Sequence, residues 1–428
     1  MKNKFIKSTL ILIIGGFCTK LLGMIIKIVT TRIIGTEGIG IYSLIMPTYM
    51  LILSICQLGL PTALNVLVAS NKNNNKNLVS SSIFISLFID LIIFIILLVL
   101  GKNMAINLLN EERTYLGLYA IGFTLPFITI SNMLRSYFFG KQRMYPHVIT
   151  NIIEDLVKLI LIIIGLPYFL TKGIEYAVCY IILSNIICEL SSIIIFLFLL
   201  PNFKSSKKEL IPNKNSIKDL LKISLPTTGS RIIGNIGYFL EPIIITFVLI
   251  KIGYDKSFIV NEYGIINGYV MQLVLLPSFF TSAISQALIP NVSNAYVNKK
   301  YEYIKKKIKQ AILFSLLIGI PSTICFLTFP DILLKFLFKT TEGINYIRVI
   351  APICILHYIQ TPISSSLQSM NKANIALKGT FIGMILRTCT LFLTSFLHIG
   401  LWSLIIATSV NIVFVTCYDS YNVKKSLS

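Results

Sequence analysis

TKLLGMIIKIVTTRIIGTEGIGIYSLIMPTYMLILSICQLGLPTALNVLVASN, Thr19 to Asn71, is the stretch on which the fold turns. It holds two apolar runs, each long enough to cross a bilayer. The first carries Lys20 and Lys27, and the second is interrupted by Pro47 and Pro61. A helix that only anchors a protein needs none of these residues. A cation inside a span costs about 2.5 to 3.5 kcal/mol on insertion scales, so it faces a bundle interior or a water-filled cavity. Lys27 can instead snorkel to the nearer interface, whereas Lys20 lies mid-span. In helical projection Gly16, Lys20, Gly23, Lys27 and Thr31 share one face, because steps of three and four residues return to the same side. A small and cationic stripe on an Ile/Leu cylinder is expected to line something polar.

The rest of the composition agrees. Of 428 residues 55% are hydrophobic and 13% charged, with a mean hydropathy of +0.80, whereas soluble domains carry about a quarter charged residues. The chain reads as an all-α polytopic membrane protein. Twelve apolar spans are predicted at 8–30, 41–69, 80–101, 115–139, 147–170, 176–200, 223–251, 263–289, 308–329, 346–370, 375–397 and 399–419. An even number places both termini on one side. That side receives 23 of the 38 cations, against nine on the other. By the positive-inside rule the termini are therefore expected in the cytoplasm. The net charge of +21 follows this topology and calls for no nucleic-acid partner. The eight cysteines lie in apolar runs without CxxC spacing, so they read as buried hydrophobes. The three histidines are scattered. No metal site and no cofactor is expected, although a coupling ion of unassigned identity is left open. The first run is long and no A-x-A-like site follows it, so it is expected to be a retained helix.

A polar, basic segment, Pro201 to Lys222, divides the chain into an amino-terminal six-helix lobe, 1–200, and a carboxy-terminal one, 223–428. The lobes repeat at an offset of 229 residues. Gln57, Pro61 and Asn65 match Gln286, Pro290 and Asn294; Gly35 matches Gly264, Gln142-Arg143 matches Asn371-Lys372, and Lys158 matches Arg387. Six helices per repeat and a cytoplasmic connection make the repeats parallel, an architecture of transporters whose substrate path lies in a central cavity between the lobes. Pro47, Pro61 and Pro290 are the candidate hinges, since proline breaks the local hydrogen-bond ladder. The amides of Gln57, Asn65, Gln286 and Asn294 either line the cavity or join neighbouring helices.

In the seventh span Thr227, Arg231, Gly234, Tyr238 and Glu241 share one broad face. Arg231 and Glu241 are about 15 Å apart along a helix, too far to pair. Arginine grips phosphate oxygens bidentately and lysine acts as a point charge, so a mainly basic cavity favours an anionic headgroup such as a pyrophosphate. In the fifth span Glu154 and Lys158 stand at i, i+4, the order of an intrahelical ion pair. Arg135 is placed to snorkel toward lipid phosphates. Asp90 and Glu189 are isolated and await partners on other helices. No G-x4-GK[ST] loop is present, so the energy source is expected to be an ion gradient, the membrane potential or the substrate's own gradient.

The stretch KLLGMIIKIVTTRIIGTEGIGIYSLIMPTYMLILSICQLGLPTALNVLVAS, with YGIINGYVMQLVLLPSFFTSAISQALIPNVSNAYVNKK and APICILHYIQTPISSSLQSMNKANIAL, resembles the stage V sporulation protein B and polysaccharide biosynthesis branch of the multidrug/oligosaccharidyl-lipid/polysaccharide exporter superfamily. The resemblance implies flipping of a lipid-linked saccharide to the outer leaflet of the bacterial plasma membrane; the expected partners are that lipid and membrane lipid, and the protein is expected to be a monomer. It implies substrate-binding roles for Lys20 and Arg32, which match basic family positions. Lys27, Arg231, Glu241 and Arg387, with the amides Gln57, Asn65, Gln286 and Asn294, complete the candidate substrate-binding set. Ile26 stands where the related lipid II flippases carry an arginine, with Lys27 beside it, and the twelfth span ends where longer relatives add two helices that shape a lipid groove. Two other functions compete: a cation-coupled drug or metabolite exporter of the same superfamily, and an intramembrane cell-wall enzyme, for which the dispersed carboxylates offer little.

Overall fold

The computed structural model describes residues 2–70, 75–141, 143–200 and 212–427, and every regular element in them is helical. The side chains of residues 2–14, 226, 227, 230, 233 and 290 fall outside that description, among them those of Thr227 and the candidate hinge Pro290. So do Gln142 and most of the 201–222 connection.

The first unit runs from α1 (Lys2–Gln57) through α2 (Leu60–Ser70), α3 (Asn75–Asn103), α4 (Tyr115–Gly140), α5 (Tyr145–Leu170) and α6 (Ile174–Leu199) into α7 (Lys214–Lys251). The remainder comprises α8 (Lys256–Gly264), α9 (Met271–Val274), α10 (Ser278–Val297), α11 (Tyr301–Thr328), α12 (Pro330–Phe338), α13 (Ile344–Ser369), α14 (Ala373–Ser395) and α15 (Trp402–Leu427). Among the described residues nine helices are long and apolar enough to cross a bilayer, ten if the bent pair Lys256–Val274 and Ser278–Val297 is one span. One of them, Gly15–Ser70, contains both apolar runs of the opening stretch, and α5 carries Glu154, Asp155 and Lys158 near its middle. Each of the twelve predicted spans falls largely on helix among the described residues. Several are inverted relative to soluble helices: the most apolar, Asn75–Leu108, contains an 18-residue stretch with a mean hydropathy of 3.3 of which only 17% is buried. That surface suits lipid, which asks for internal backbone hydrogen bonding and apolar exteriors.

Contacts group the chain into two units, Met1–Pro242 and Ile243–Ser428, a division that falls inside α7. In the first unit α4 packs against α2, α3 and α6, and α5 packs against α1 and α6. In the second, α13 packs against α10, α11 and α15, and α14 against α15. The repeat is visible in the element limits, since α4 (115 to 140) and α13 (344 to 369) begin and end 229 residues apart. The cores repeat as well. Ala63, Val79, Leu134 and Phe138 are buried in one cluster, and their partners at the same offset, Val292, Ile308, Ile363 and Leu367, in another.

The repeats differ in where their helices break. α1 is continuous through Pro47 and breaks at Gly35, with φ 66° and ψ −170°, a region open essentially to glycine alone. A second break at Leu58–Gly59 separates Gln57 from α2. Pro61 lies in the first turn of α2, where its missing N–H costs nothing. In the second unit Gly264, the counterpart of Gly35, stays helical at φ −63° and leads into a π-helix, Ile265–Val270. The 52° bend there comes after α9, at Leu275–Pro277. Two residues beyond Gly35, Glu37 accepts a hydrogen bond from Arg113, whose Nε also reaches Glu111 at 2.7 Å. The broken α1 is thereby tied to the segment before α4.

Gly35 offers a clean test, because nothing lies within 4 Å of where its Cβ would be. Gly35→Ala is expected to lower stability through backbone strain alone, by about 1–3 kcal/mol. Gly23→Ala, also in open space but on regular helix, is expected to be neutral or stabilising by up to about 1 kcal/mol. Thermal unfolding of both variants in detergent measures the difference.

Candidate functional site

The first arm of α1 has two distinct faces. On one, Ile26 and Ile34 are buried, and Gly15 is pressed so close to Val148 of α5 that a Cβ there would lie 2.2 Å from it. On the other, Lys20 and Lys27 are exposed, and apart from the helix's own neighbouring backbone no described atom lies within 4 Å of a Cβ built at Gly16 or Gly23. The stripe read from the sequence is therefore an exposed, cationic strip, beside which the apolar Phe17, Leu21 and Ile25 are exposed as well. Thr31 is buried, its hydroxyl donating to the Lys27 carbonyl at 2.8 Å. Arg32 is exposed near the Gly35 break.

The same construction recurs in α7. Arg231 and Tyr238 are exposed, and a Cβ placed on Gly234 or Gly229 would meet no atom within 4 Å. Lys20-Leu-Leu-Gly23 and Arg231-Ile-Ile-Gly234 are one pattern at an offset of 211 residues, which also brings Lys27 onto Tyr238 and Gly16 onto Thr227. That spacing differs from the 229 residues that relate the other helices, so a search at a single offset passes over it. The Arg231 guanidinium donates to the Thr62 hydroxyl at 3.0 Å, and the Asn235 amide donates to the Ser54 hydroxyl. These two bonds set α7 beside both sides of the Leu58–Gly59 break, with Gln57 and Asn65, both half-buried, three residues from the acceptors. Glu241 is buried, apart from the exposed Arg231 and Tyr238. In the second unit Gln286 and Asn294 are exposed on an uninterrupted α10, and Arg387 is half-buried on α14.

A second polar cluster lies within the first unit between α4, α5 and α6. Glu154 pairs with Arg135 of α4 at 3.0 Å and accepts from the Ser192 hydroxyl at 3.1 Å. Lys158 donates to Asn185 of α6 at 2.6 Å. The intrahelical Glu154–Lys158 pair and the lipid-facing Arg135 expected from sequence thus give way to bonds between helices. Partly buried charges gain more from a planar guanidinium and fixed acceptors on a neighbouring helix than from a flexible pair along one face. Glu189 is buried near Glu154, Arg135 and Lys158, whereas the buried Asp90 faces Cys56 and Thr129. Neither Asp90 oxygen makes a hydrogen bond of good geometry to a described residue. The second repeat has no such cluster: Gly319, Ser364, Gly383 and Tyr418 stand at the positions of Asp90, Arg135, Glu154 and Glu189. Among the described residues no group of three metal-ligating side chains converges.

Removing one partner of the inter-helix pair should be costly. Arg135→Gln or Glu154→Gln is expected to destabilise the protein by about 2–4 kcal/mol, below the range for a fully buried pair because both side chains retain some exposure. A double-mutant cycle on thermal unfolding is expected to give a larger coupling for Glu154 with Arg135 than for Glu154 with Lys158.

Residues 5–296 match the family described as "Polysaccharide biosynthesis protein", and residues 257–393 match MatE. Stage V sporulation protein B of Bacillus subtilis (strain 168) is 34% identical, over 100% of this chain and 85% of its own length. The Lipid II flippase MurJ of the same organism is 20% identical, over 90% of this chain and 76% of its own. Among solved structures, an inward-facing multidrug resistance MATE family transporter of the MOP superfamily matches with a TM-score of 0.74 at 15% identity. That match covers 96% of this chain and 94% of the other, and it establishes the likeness of fold. On these matches the chain belongs to the polysaccharide biosynthesis protein family, with stage V sporulation protein B and the lipid II flippase MurJ among the proteins it is similar to.

Proposed function

We propose that the protein flips a lipid-linked saccharide, a polyprenyl-pyrophosphate oligosaccharide or peptidoglycan precursor, from the cytoplasmic to the outer leaflet of the bacterial plasma membrane by alternating access. Its termini then lie in the cytoplasm and it works as a monomer without a cofactor. The observation that carries this reading is the repeated cation-x-x-glycine strip, Lys20 with Gly23 and Arg231 with Gly234, exposed where the glycines leave room for a ligand. A pyrophosphate needs charge-assisted donors at more than one point, and an arginine fork with a lysine point charge supplies them. The Thr62 bond fixes the Arg231 guanidinium before any substrate arrives, which lowers the ordering cost of binding. The relatives named for lipid II flipping and sporulation support a saccharide carried on a lipid.

A second reading, cation-coupled export of a drug or metabolite, draws on the buried Asp90. The two separate in proteoliposomes loaded with a fluorescent lipid-linked saccharide. Lys20→Gln and Arg231→Gln are each expected to slow translocation by tenfold or more, about the worth of one hydrogen bond to a charged group. Undiminished rates in both variants, with normal expression, would contradict the headgroup role. Loss of drug efflux in Asp90→Asn, with saccharide translocation absent from the parent protein, would favour the second reading.

A further inference from the structure

A groove of about 480 Å³ opens on the second unit between the start of α11 and the end of α15. Its floor is apolar, formed by Ile308, Ile312, Ile363 and Val423, and its rim carries Lys305, Lys309 and Lys424. All three lysines are exposed, and among the described residues only Lys305 of the three has a carboxylate within reach, Glu302 at 2.8 Å. The nearby Asp419 is fully buried and accepts a hydrogen bond from Ser364, so its charge is turned inward. Exposed tyrosines, Tyr301, Tyr303 and Tyr421, stand at the same helix ends, where amphipathic rings mark the level of lipid headgroups. One turn further along α11, Leu313, Phe314 and Leu317 are more than half exposed, as hydrocarbon-facing residues are.

The internal repeat indicates what such a groove requires. At the 229-residue offset its floor corresponds to Val79, Ile83, Leu134 and Ile194 of the first unit. There Val79 and Leu134 belong to a closed core with Leu220 and Ile223 of α7 packed into it, and the Asn213 amide is fastened to the Ser81 hydroxyl at 3.1 Å. In the first unit an apolar segment of the chain packs into part of that place, with Val79, Ile83 and Leu134, while Ile194 stays half exposed. In the second no described residue does so, while positive charge lines the rim.

We propose that this groove binds one anionic phospholipid. An acyl chain takes the place that Leu220 holds in the first unit, and the phosphodiester sits among Lys305, Lys309 and Lys424. An apolar floor under a three-lysine rim suits a lipid better than a free anion, because both halves of the ligand gain a partner. The site is distinct from the Lys20 and Arg231 strips and does not depend on the saccharide reading.

Native mass spectrometry of the full chain, purified in mild detergent and exposed to phosphatidylglycerol, phosphatidylcholine or inorganic phosphate, tests it. One phosphatidylglycerol is expected to be retained in preference to phosphatidylcholine, and millimolar phosphate should not displace it. The double variant Lys309→Gln/Lys424→Gln, in exposed positions that the fold tolerates, is expected to weaken that retention by about 30-fold, the effect of two juxtamembrane charges. Lys20→Gln is expected to leave it unchanged, so failure of the transport reading and failure of this one are told apart. Equal retention of both lipids, retention unaffected in the double variant, displacement by phosphate alone, or a second copy of the chain in place of lipid would each overturn the proposal.

Discussion

Charge inside hydrocarbon is the constraint from which the structure follows. A lipid-facing cation or an unsatisfied backbone group costs several kcal/mol, so the spans are helices and their charges must meet a partner or an open polar face. The first unit uses both solutions. Arg135, Glu154, Lys158 and Asn185 answer one another across α4, α5 and α6, whereas Lys20, Lys27 and Arg231 are left exposed. The first arrangement holds helices together. The second leaves charge at an exposed face, where the proposed substrate headgroup would bind.

Breaks in the helices come from the same demand for backbone hydrogen bonds. Gly35 and the Leu58–Gly59 step interrupt the first repeat, and Leu275–Pro277 the second. Each interruption leaves carbonyls and amides that a straight helix would pair. In the first unit side chains gather at those points: Glu37 with Arg113 beyond Gly35, and Ser54 and Thr62 on either side of the second break. The duplicated unit is thus built on one plan but bends at different places, which gives the two halves different shapes from related sequences.

Much of this was legible in the residues. Hydropathy placed the spans, because twenty apolar residues in a row have few other uses. The repeat was legible through Gln57, Pro61 and Asn65 against Gln286, Pro290 and Asn294, and it reappears in the matching limits of α4 and α13. The Gly16–Lys20–Gly23–Lys27 stripe was legible from helical period alone. What sequence could not supply was the choice between partners. Glu154 has Lys158 one turn away, yet the guanidinium of Arg135 reaches it from another helix, a contact nineteen residues distant that no local rule reports. Proline marked the bends only loosely: α1 runs straight through Pro47, and the Gly35 break rests on backbone freedom that the counterpart Gly264 does not use.

The central claim is that exposed cations on two repeat-related helices hold the phosphate-linked head of a lipid-borne saccharide. Native mass spectrometry of the chain purified from a cell that makes such lipids tests it most directly. The account predicts a bound mass equal to one polyprenyl-pyrophosphate saccharide, released by inorganic pyrophosphate and absent from the Lys20→Gln/Arg231→Gln double variant. A bound saccharide lipid that persists undiminished in the double variant, or a parent protein that binds none when the lipid is supplied in excess, would contradict it.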